Sequence, residues 1–158
     1  MSWTKRLLIG GAATLAVVGL GLGLYVQKSL PTLEGELSLA GLSAPVQVLR
    51  DSSDVTHVLA RTPDDAWRAL GYVHAQERGW QLEFNRRVMR GELAEVLGEA
   101  ALETDKLMRT LGIRQAAQRQ LAALPPDAHA AMEAYAAGIN AFFAGSEQAR
   151  TPEFLLLG

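Results

Sequence analysis

The chain has 158 residues, 49% hydrophobic and 20% charged, with a formal net charge of −2 and no cysteine. This composition is typical of a folded domain. The near-neutral charge argues against a nucleic-acid binder driven by electrostatics. The lack of cysteine excludes disulfides, thiolate zinc sites and a thiol nucleophile.

The N-terminus predicts a membrane anchor. The run Leu7–Val26 contains no charged residue and follows Lys5 and Arg6. As a helix it would span roughly 30 Å, the thickness of a bilayer core. The basic pair favours residues 1–6 in the cytoplasm and the body of the chain in the periplasm. Because the run ends in LYVQKSLP, without an A-x-A cleavage pattern, an uncleaved inner-membrane signal anchor is favoured; a cleaved signal and a periplasmic protein is the alternative.

A linker and a β-hairpin follow the anchor. Residues 27–44 include Pro31 and Gly35, which interrupt regular structure. Pro45–Asp51 and Asp54–Ala60 have the β-rich composition of strands. The Asp-Ser-Ser-Asp sequence between them is typical of a turn, because Asp and Ser side chains bond to the local backbone.

Three helices are predicted after the hairpin. Thr62 is a candidate N-cap before Pro63, and Gly91 is a candidate end of the first helix. Leu102–Leu124 predicts a second helix, stopped by two prolines. The third runs over Asp127–Gly145, with an apolar face of Met132, Tyr135, Ile139 and Phe142. The predicted fold class is α+β: a transmembrane helix, a hairpin and a mainly helical remainder.

A carboxylate interrupts the apolar face of the first of these helices. Glu77 falls within a series spaced at three and four residues, whose other members are Ala66, Leu70, Val73, Trp80, Phe84 and Val88. Burial of a lone carboxylate costs several kcal/mol, so Glu77 must be paired or protonated. A structural ion pair is the favoured interpretation, with catalytic and ligand roles as alternatives. The candidate partners are Arg50, Arg78, Arg86 and Arg87.

Other candidate functional residues have simpler interpretations. His74 and Glu77 are three residues apart, but a metal site needs three or four ligands. His57 is expected to pack within a strand and His129 to lie on an exposed helix turn. The aromatic residues are expected in the core rather than in a ligand site; they are Trp67, Trp80, Phe142 and Phe143. No nucleophile-elbow, phosphate-loop or zinc-protease motif occurs, so the chain predicts no catalytic, cofactor-binding or metal-binding residue.

Five segments in order resemble motifs of the penicillin acylase family of N-terminal-nucleophile amide hydrolases. They are PVQVLRD (Pro45–Asp51), DVTHVLA (Asp54–Ala60), GYVHAQERGWQLE (Gly71–Glu83), RRVMRGELAEVLG (Arg86–Gly98) and YAAGINAF (Tyr135–Phe142). The chain departs from the family pattern where Asp54 replaces Gly, Thr56 replaces Pro and Glu77 replaces Asp. Asp tolerates left-handed backbone, so the turn can survive the first change. Glu77 keeps the charge, and Arg50 is the first choice of partner.

The resemblance implies that residues 45–158 are part of the α-chain domain of an αββα hydrolase. In this family a precursor is cut, and the Ser at the new β-chain N-terminus attacks an acyl amide such as a penicillin or an acyl-homoserine lactone. Calcium is expected in the complete enzyme, with ligands outside this chain. The implied partners are the β-chain, the acyl amide substrate and, through Leu7–Val26, the membrane; nucleic acid is not one.

The sequence therefore leaves two functions open. The favoured one is an α-chain scaffold fragment, inactive alone, of a penicillin-acylase-type amidohydrolase. The alternative is a membrane-anchored helical binding or assembly module without enzymatic activity.

Overall fold

The computed structural model describes residues 3–145 and 151–157, without the side chains of residues 4 and 6–8. The described chain is mostly helical and includes one two-stranded sheet. Its elements in order are α1 Trp3–Ser29, β1 Gln47–Arg50, β2 Thr56–Leu59, α2 Pro63–Arg90, α3 Ala94–Leu97, a 3₁₀ turn Gly98–Ala101, α4 Leu102–Leu111, α5 Ile113–Ala122, α6 Pro126–Gly145 and α7 Pro152–Leu157.

The N-terminal helix α1 is long, apolar and mostly exposed. Its segment Ile9–Ser29 has a mean hydropathy of 1.9, and none of it is buried. By length and composition this helix could cross a membrane. The helix continues to Ser29, three residues past the predicted end at Val26. The non-helical segment that leads to the hairpin therefore starts three residues later than the predicted linker.

The two predicted strands form an antiparallel hairpin, with shorter strands than the motifs that contain them. Gln47 pairs with Leu59 and Arg50 with Thr56. The turn is built on Asp51, whose Oδ1 accepts hydrogen bonds from the backbone N–H groups of Ser53 (2.9 Å) and Val55 (3.0 Å). Asp54 has φ +61°, the left-handed conformation that Asp tolerates.

Helix α2 begins and ends where the sequence predicts. The Thr62 hydroxyl accepts a hydrogen bond from the Asp65 N–H (3.2 Å), and Pro63 occupies the first turn. Gly91 ends the helix in the left-handed conformation, with φ 66°. The sequence did not predict the kink at Arg78, where φ is −135° and ψ is 27°.

The predicted single helix over Leu102–Leu124 is wrong. The chain forms α4 and α5 instead, separated at Gly112, which has φ +66°. Glycine adopts this conformation without steric cost, and the two helices can therefore turn relative to each other. The α4 residue Asp105 is buried and accepts hydrogen bonds from the backbone N–H groups of Leu93 (2.9 Å) and Ala94 (2.8 Å). This bond pair anchors the start of α3 to α4.

The core lies mainly where α2 crosses α6, and the contact depends on glycine. A Cβ added at Gly71 would lie 2.1 Å from the Tyr135 carbonyl oxygen. A Cβ added at Gly138 would lie 1.9 Å from the Arg68 carbonyl oxygen. The two backbones therefore approach more closely than any side chain permits. The buried face of α6 consists of Ala134, Gly138 and Phe142.

Two expectations about side-chain burial are wrong. Met132, predicted on the apolar face of α6, is 56% exposed, because the close crossing selects the small residues of that helix. Trp67, predicted in the core, is 42% exposed. The other aromatic residues do cluster: Trp80 packs edge-on against Phe154, with ring centroids 5.2 Å apart, and Phe154 also contacts Phe143.

Candidate functional site

The structure pairs Glu77 with Arg50. Arg50 is the last residue of β1, and its Nη2 donates a hydrogen bond to Glu77 Oε1 in the middle of α2. The exposed fractions of the two side chains are 17% for Arg50 and 23% for Glu77. The carboxylate is thus half-buried at the hairpin–helix junction, and not fully enclosed as its place in the apolar series implied.

None of the other three candidate arginines pairs with Glu77, and two of them, Arg86 and Arg87, bind other carboxylates. Glu83 accepts hydrogen bonds from the Nε atoms of Arg86 and Arg87, both at 2.7 Å. Arg87 also donates to Glu95 through Nη1 at 3.0 Å. The hydrogen bonds from Arg86, supported by the charges of Arg86 and Arg87, hold the pKa of the Glu83 carboxyl below its usual value. Arg78 is exposed and has no ion pair among the described residues.

His74, which could have joined Glu77 in an H-x-x-E metal pair, faces helix α6 instead. Its Nδ1 lies 2.9 Å from the Tyr135 hydroxyl, and the two rings pack edge-on. Burial raises the pKa of the Tyr135 phenol. Within residues 3–145 and 151–157, no group of three or more His, Asp and Glu side chains is placed to hold a metal ion.

The remaining two histidines lie near carboxylates that are close to them in the chain. His57 in β2 contacts Asp51 at the turn, with 3.0 Å between Nε2 and Oδ2. The hydrogen bond with His57 is the main cause of a lowered pKa at the Asp51 carboxyl. His129 lies one helix turn from Glu133, with 3.5 Å between Nδ1 and Oε2. Both contacts are local and do not join separate elements.

Sequence reasoning missed two buried carboxylates, Asp65 and Asp105. Asp65 accepts hydrogen bonds from the Ser43 N–H (2.8 Å) and hydroxyl (2.5 Å), and so ties the extended segment to the start of α2. These bonds with Ser43 are the main cause of a lowered pKa at Asp65. The signal in the sequence was Ser43, two residues before Pro45, because a Ser side chain can hydrogen-bond to groups at the start of a helix. For Asp105 the sequence offered no comparable signal, because its partners are backbone groups.

Taken together, these polar groups join separate elements of the fold. Arg50 and Glu77 connect the hairpin to α2, His74 and Tyr135 connect α2 to α6, and Asp105 connects α4 to the start of α3. Each carboxylate or ring nitrogen named here has its partner within the chain. The arrangement is suited to holding elements in place.

The fold and these motifs are similar to part of a solved acylase structure. A solved structure that this chain resembles is the thermostable penicillin G acylase from Alcaligenes faecalis, with a TM-score of 0.56 and 36% sequence identity. The match covers 62% of this chain and 52% of the solved chain. The observed helices and sheet therefore correspond to a fragment of the penicillin acylase fold.

Residues 45–158 match the penicillin amidase family model, and the chain belongs to that family. It is 48% identical over 119 residues to penicillin acylase 2 proenzyme of Pseudomonas sp. (strain SE83), covering 75% of this chain. It is 40% identical over 114 residues, or 72% of this chain, to the acyl-homoserine lactone acylase QuiP of Pseudomonas aeruginosa. The chain spans only 15% and 14% of the lengths of these two relatives.

Proposed function

We propose that residues 45–158 form part of the α-chain scaffold of a penicillin-acylase-type amidohydrolase with an αββα architecture. The observation that carries the proposal is the Arg50–Glu77 pair, which lies between two of the five family motifs and joins the elements that contain them. Family membership supports the acylase class. The complete enzyme would hydrolyse the amide bond of a penicillin, an acyl-homoserine lactone or a similar acyl amide.

In this proposal the reacting groups belong to a β-chain released from the same precursor. Its N-terminal Ser would attack the acyl carbonyl, and the freed α-amine would act as base. An α-amine has a pKa of about 8, suited to proton transfer near neutral pH. One relative is itself named a proenzyme, which supports a precursor that is processed. The residues described above would hold the scaffold against which that chain packs.

Calcium would take its ligands from outside the described residues. Within them no cluster of three or more candidate ligands exists, and Glu77 is already engaged by Arg50.

Helix α1 would anchor the enzyme in the inner membrane and leave the body in the periplasm. The length and apolar composition of Ile9–Ser29 support this placement, as does Lys5 on its N-terminal side. Cleavage of the helix as a signal would instead release the enzyme into the periplasm.

A chimera tests the scaffold role directly. The segment of the Pseudomonas penicillin acylase 2 proenzyme that aligns with this chain is replaced by residues 45–158, and processing and acyl amide hydrolysis are measured. We expect the chimera to be cut into two chains and to hydrolyse the substrate of the parent enzyme. A chimera that folds, judged by circular dichroism, but is neither cut nor active would contradict the proposal.

The chain of residues 1–158 expressed alone separates the proposal from a binding or assembly module. We expect it not to hydrolyse penicillin G or acyl-homoserine lactones above the buffer rate. A chain that alone forms a stable assembly, together with an inactive chimera, would favour the non-enzymatic module.

A further inference from the structure

A cavity near the C-terminal end of α2, away from the Arg50–Glu77 pair, has three arginines in its lining. It has a volume of about 250 Å³ and lies between the end of α2, the loop after it, and helices α4 and α5. The residues that line it are Arg90, Glu92, Met108, Arg109, Arg114 and Gln115.

One carboxylate faces an excess of positive charge in this cavity. Glu92 is the only acidic residue in the lining, and its side chain is 15% exposed. Three guanidinium groups lie within 4 Å of it, with N···O distances of 3.8 Å for Arg86, 2.8 Å for Arg90 and 3.5 Å for Arg114. Arg86 lies outside the lining and is also bound by Glu83, whereas Arg109 lines the cavity together with Arg90 and Arg114. A single carboxylate cannot neutralise the charge of these three guanidinium groups.

Several arginine N–H donors in this cavity are not fully used by acceptors among the described residues. Arg90 Nε is buried and, although Glu92 is at ion-pair distance, its N–H makes no hydrogen bond within the described part of the chain. Arg109 donates to the Gly91 carbonyl oxygen through Nε at 2.7 Å, which leaves the donors of its two Nη groups. The Arg114 contact with Glu92 is long, at 3.5 Å. Guanidinium groups with unused N–H donors can donate hydrogen bonds to a further acceptor.

We propose that this cavity binds an oxyanion, either a carboxylate or a phosphate, through Arg90, Arg109 and Arg114. The planar fork of a guanidinium donates two parallel hydrogen bonds to such a group. A volume of about 250 Å³ holds the anion with several waters, since one water takes about 30 Å³. The anion is either a free small molecule or an acidic side chain from another part of the complete protein.

The first test uses residues 1–158 in an uncharged detergent. Inorganic phosphate, or acetate in a parallel series, is titrated against chloride at constant ionic strength, and the arginine Nε–H resonances are followed by NMR. Constant ionic strength removes general screening as a cause of the shifts. We expect saturable shifts at Arg90 and Arg109 with a dissociation constant on the order of 1 mM.

Three variants identify the site. Arg114→Gln is expected to weaken binding about tenfold, as the loss of one charge-assisted hydrogen bond does. Arg119→Gln removes the same charge from the exposed end of α5, away from the cavity, and should leave binding unchanged. Glu92→Gln removes the internal competitor and should tighten binding. Equal effects of Arg114→Gln and Arg119→Gln, or no saturation, would overturn the proposal.

The second test distinguishes the two sources of the anion. In the chimera described above, an acidic side chain from the rest of the enzyme would block phosphate binding, and Arg114→Gln would lower the melting temperature more than Arg119→Gln. A free anion as ligand would still bind the chimera. The titration of residues 1–158 does not depend on enzymatic activity, so its failure and that of the proposed function are separate results.

Discussion

Loss of the Arg50–Glu77 pair is expected to destabilise the chain, and Glu77→Gln tests this directly. The substitution keeps the size of the side chain but leaves the Arg50 guanidinium without its charged acceptor. An exposed pair contributes about 0–1 kcal/mol, whereas loss of one partner from a buried pair costs about 3–5 kcal/mol. Because the two side chains are 17% and 23% exposed, the expected cost is intermediate, at about 1–3 kcal/mol.

The melting temperature of residues 1–158, followed by circular dichroism in uncharged detergent, measures this cost. At about 4 °C per kcal/mol for a domain of this size, we expect Glu77→Gln to lower it by roughly 4–12 °C. Arg50→Ala should lower it by a similar amount. Glu99→Gln is the matched control: Glu99 is exposed and forms no side-chain ion pair among the described residues, so its effect should stay within about 0.5 kcal/mol.

A double variant separates the ion pair from general packing effects. If the two groups act mainly on each other, the double variant Arg50→Met/Glu77→Leu should cost less than the sum of Arg50→Met and Glu77→Leu made singly, because only the double variant leaves no charge unpaired. Additive losses, or unchanged melting temperatures for both single variants, would refute the structural role of the pair. In the chimera, Glu77→Gln should leave the ratio of kcat/KM values for two acyl groups unchanged.

Three further predictions concern the helix contacts. Gly138→Ala should destabilise the α2–α6 crossing by about 3 kcal/mol or more, since its Cβ would meet the Arg68 carbonyl oxygen, whereas Gly145→Ala has free space and should be neutral in the same thermal melts. Asp105→Ala should cost about 1–2 kcal/mol and expose the start of α3 to limited proteolysis, because it removes the acceptor of two backbone N–H groups; unchanged cleavage would contradict this. The folded-state pKa of Asp65 is lowered, so its contribution is present above the unfolded pKa of about 4 and is lost as pH falls through the folded value. Asp65→Asn should therefore reduce the dependence of stability on pH below about 4 and leave its dependence at higher pH as it is.

The sequence predicted those parts of the fold that local chemistry determines. Helix α2 starts at Thr62 and Pro63 because the Thr side chain caps the helix and Pro fits its first turn. It ends at Gly91 because glycine readily adopts the left-handed conformation. The same holds for the turn at Asp51, whose carboxylate bonds to the backbone just after it. The sequence offered four arginines as candidate partners of Glu77. Which of them binds it depends on which strand packs against α2.

The sequence did not predict those features of the fold that depend on packing between elements. Gly112 in a helical pattern is compatible with a continuous helix at modest cost, and only the packing of α4 and α5 shows that the chain turns there. Likewise, the periodic pattern placed Met132 on the apolar face of α6 and did not include Gly138. The reverse is true, since the distance between the two backbones, and not hydrophobicity, selects the buried face.

The family motifs correspond to contacts between elements. The first motif contributes Arg50 and the third contributes Glu77, and these two residues bind each other. The third also contributes Gly71, which lies against the backbone of Tyr135 at the start of the fifth. A carboxylate such as Glu77 can therefore belong to a family motif for a structural reason. A charge pair or a close glycine contact tolerates few replacements. A resemblance carried by such motifs identifies a fold more directly than it identifies a substrate.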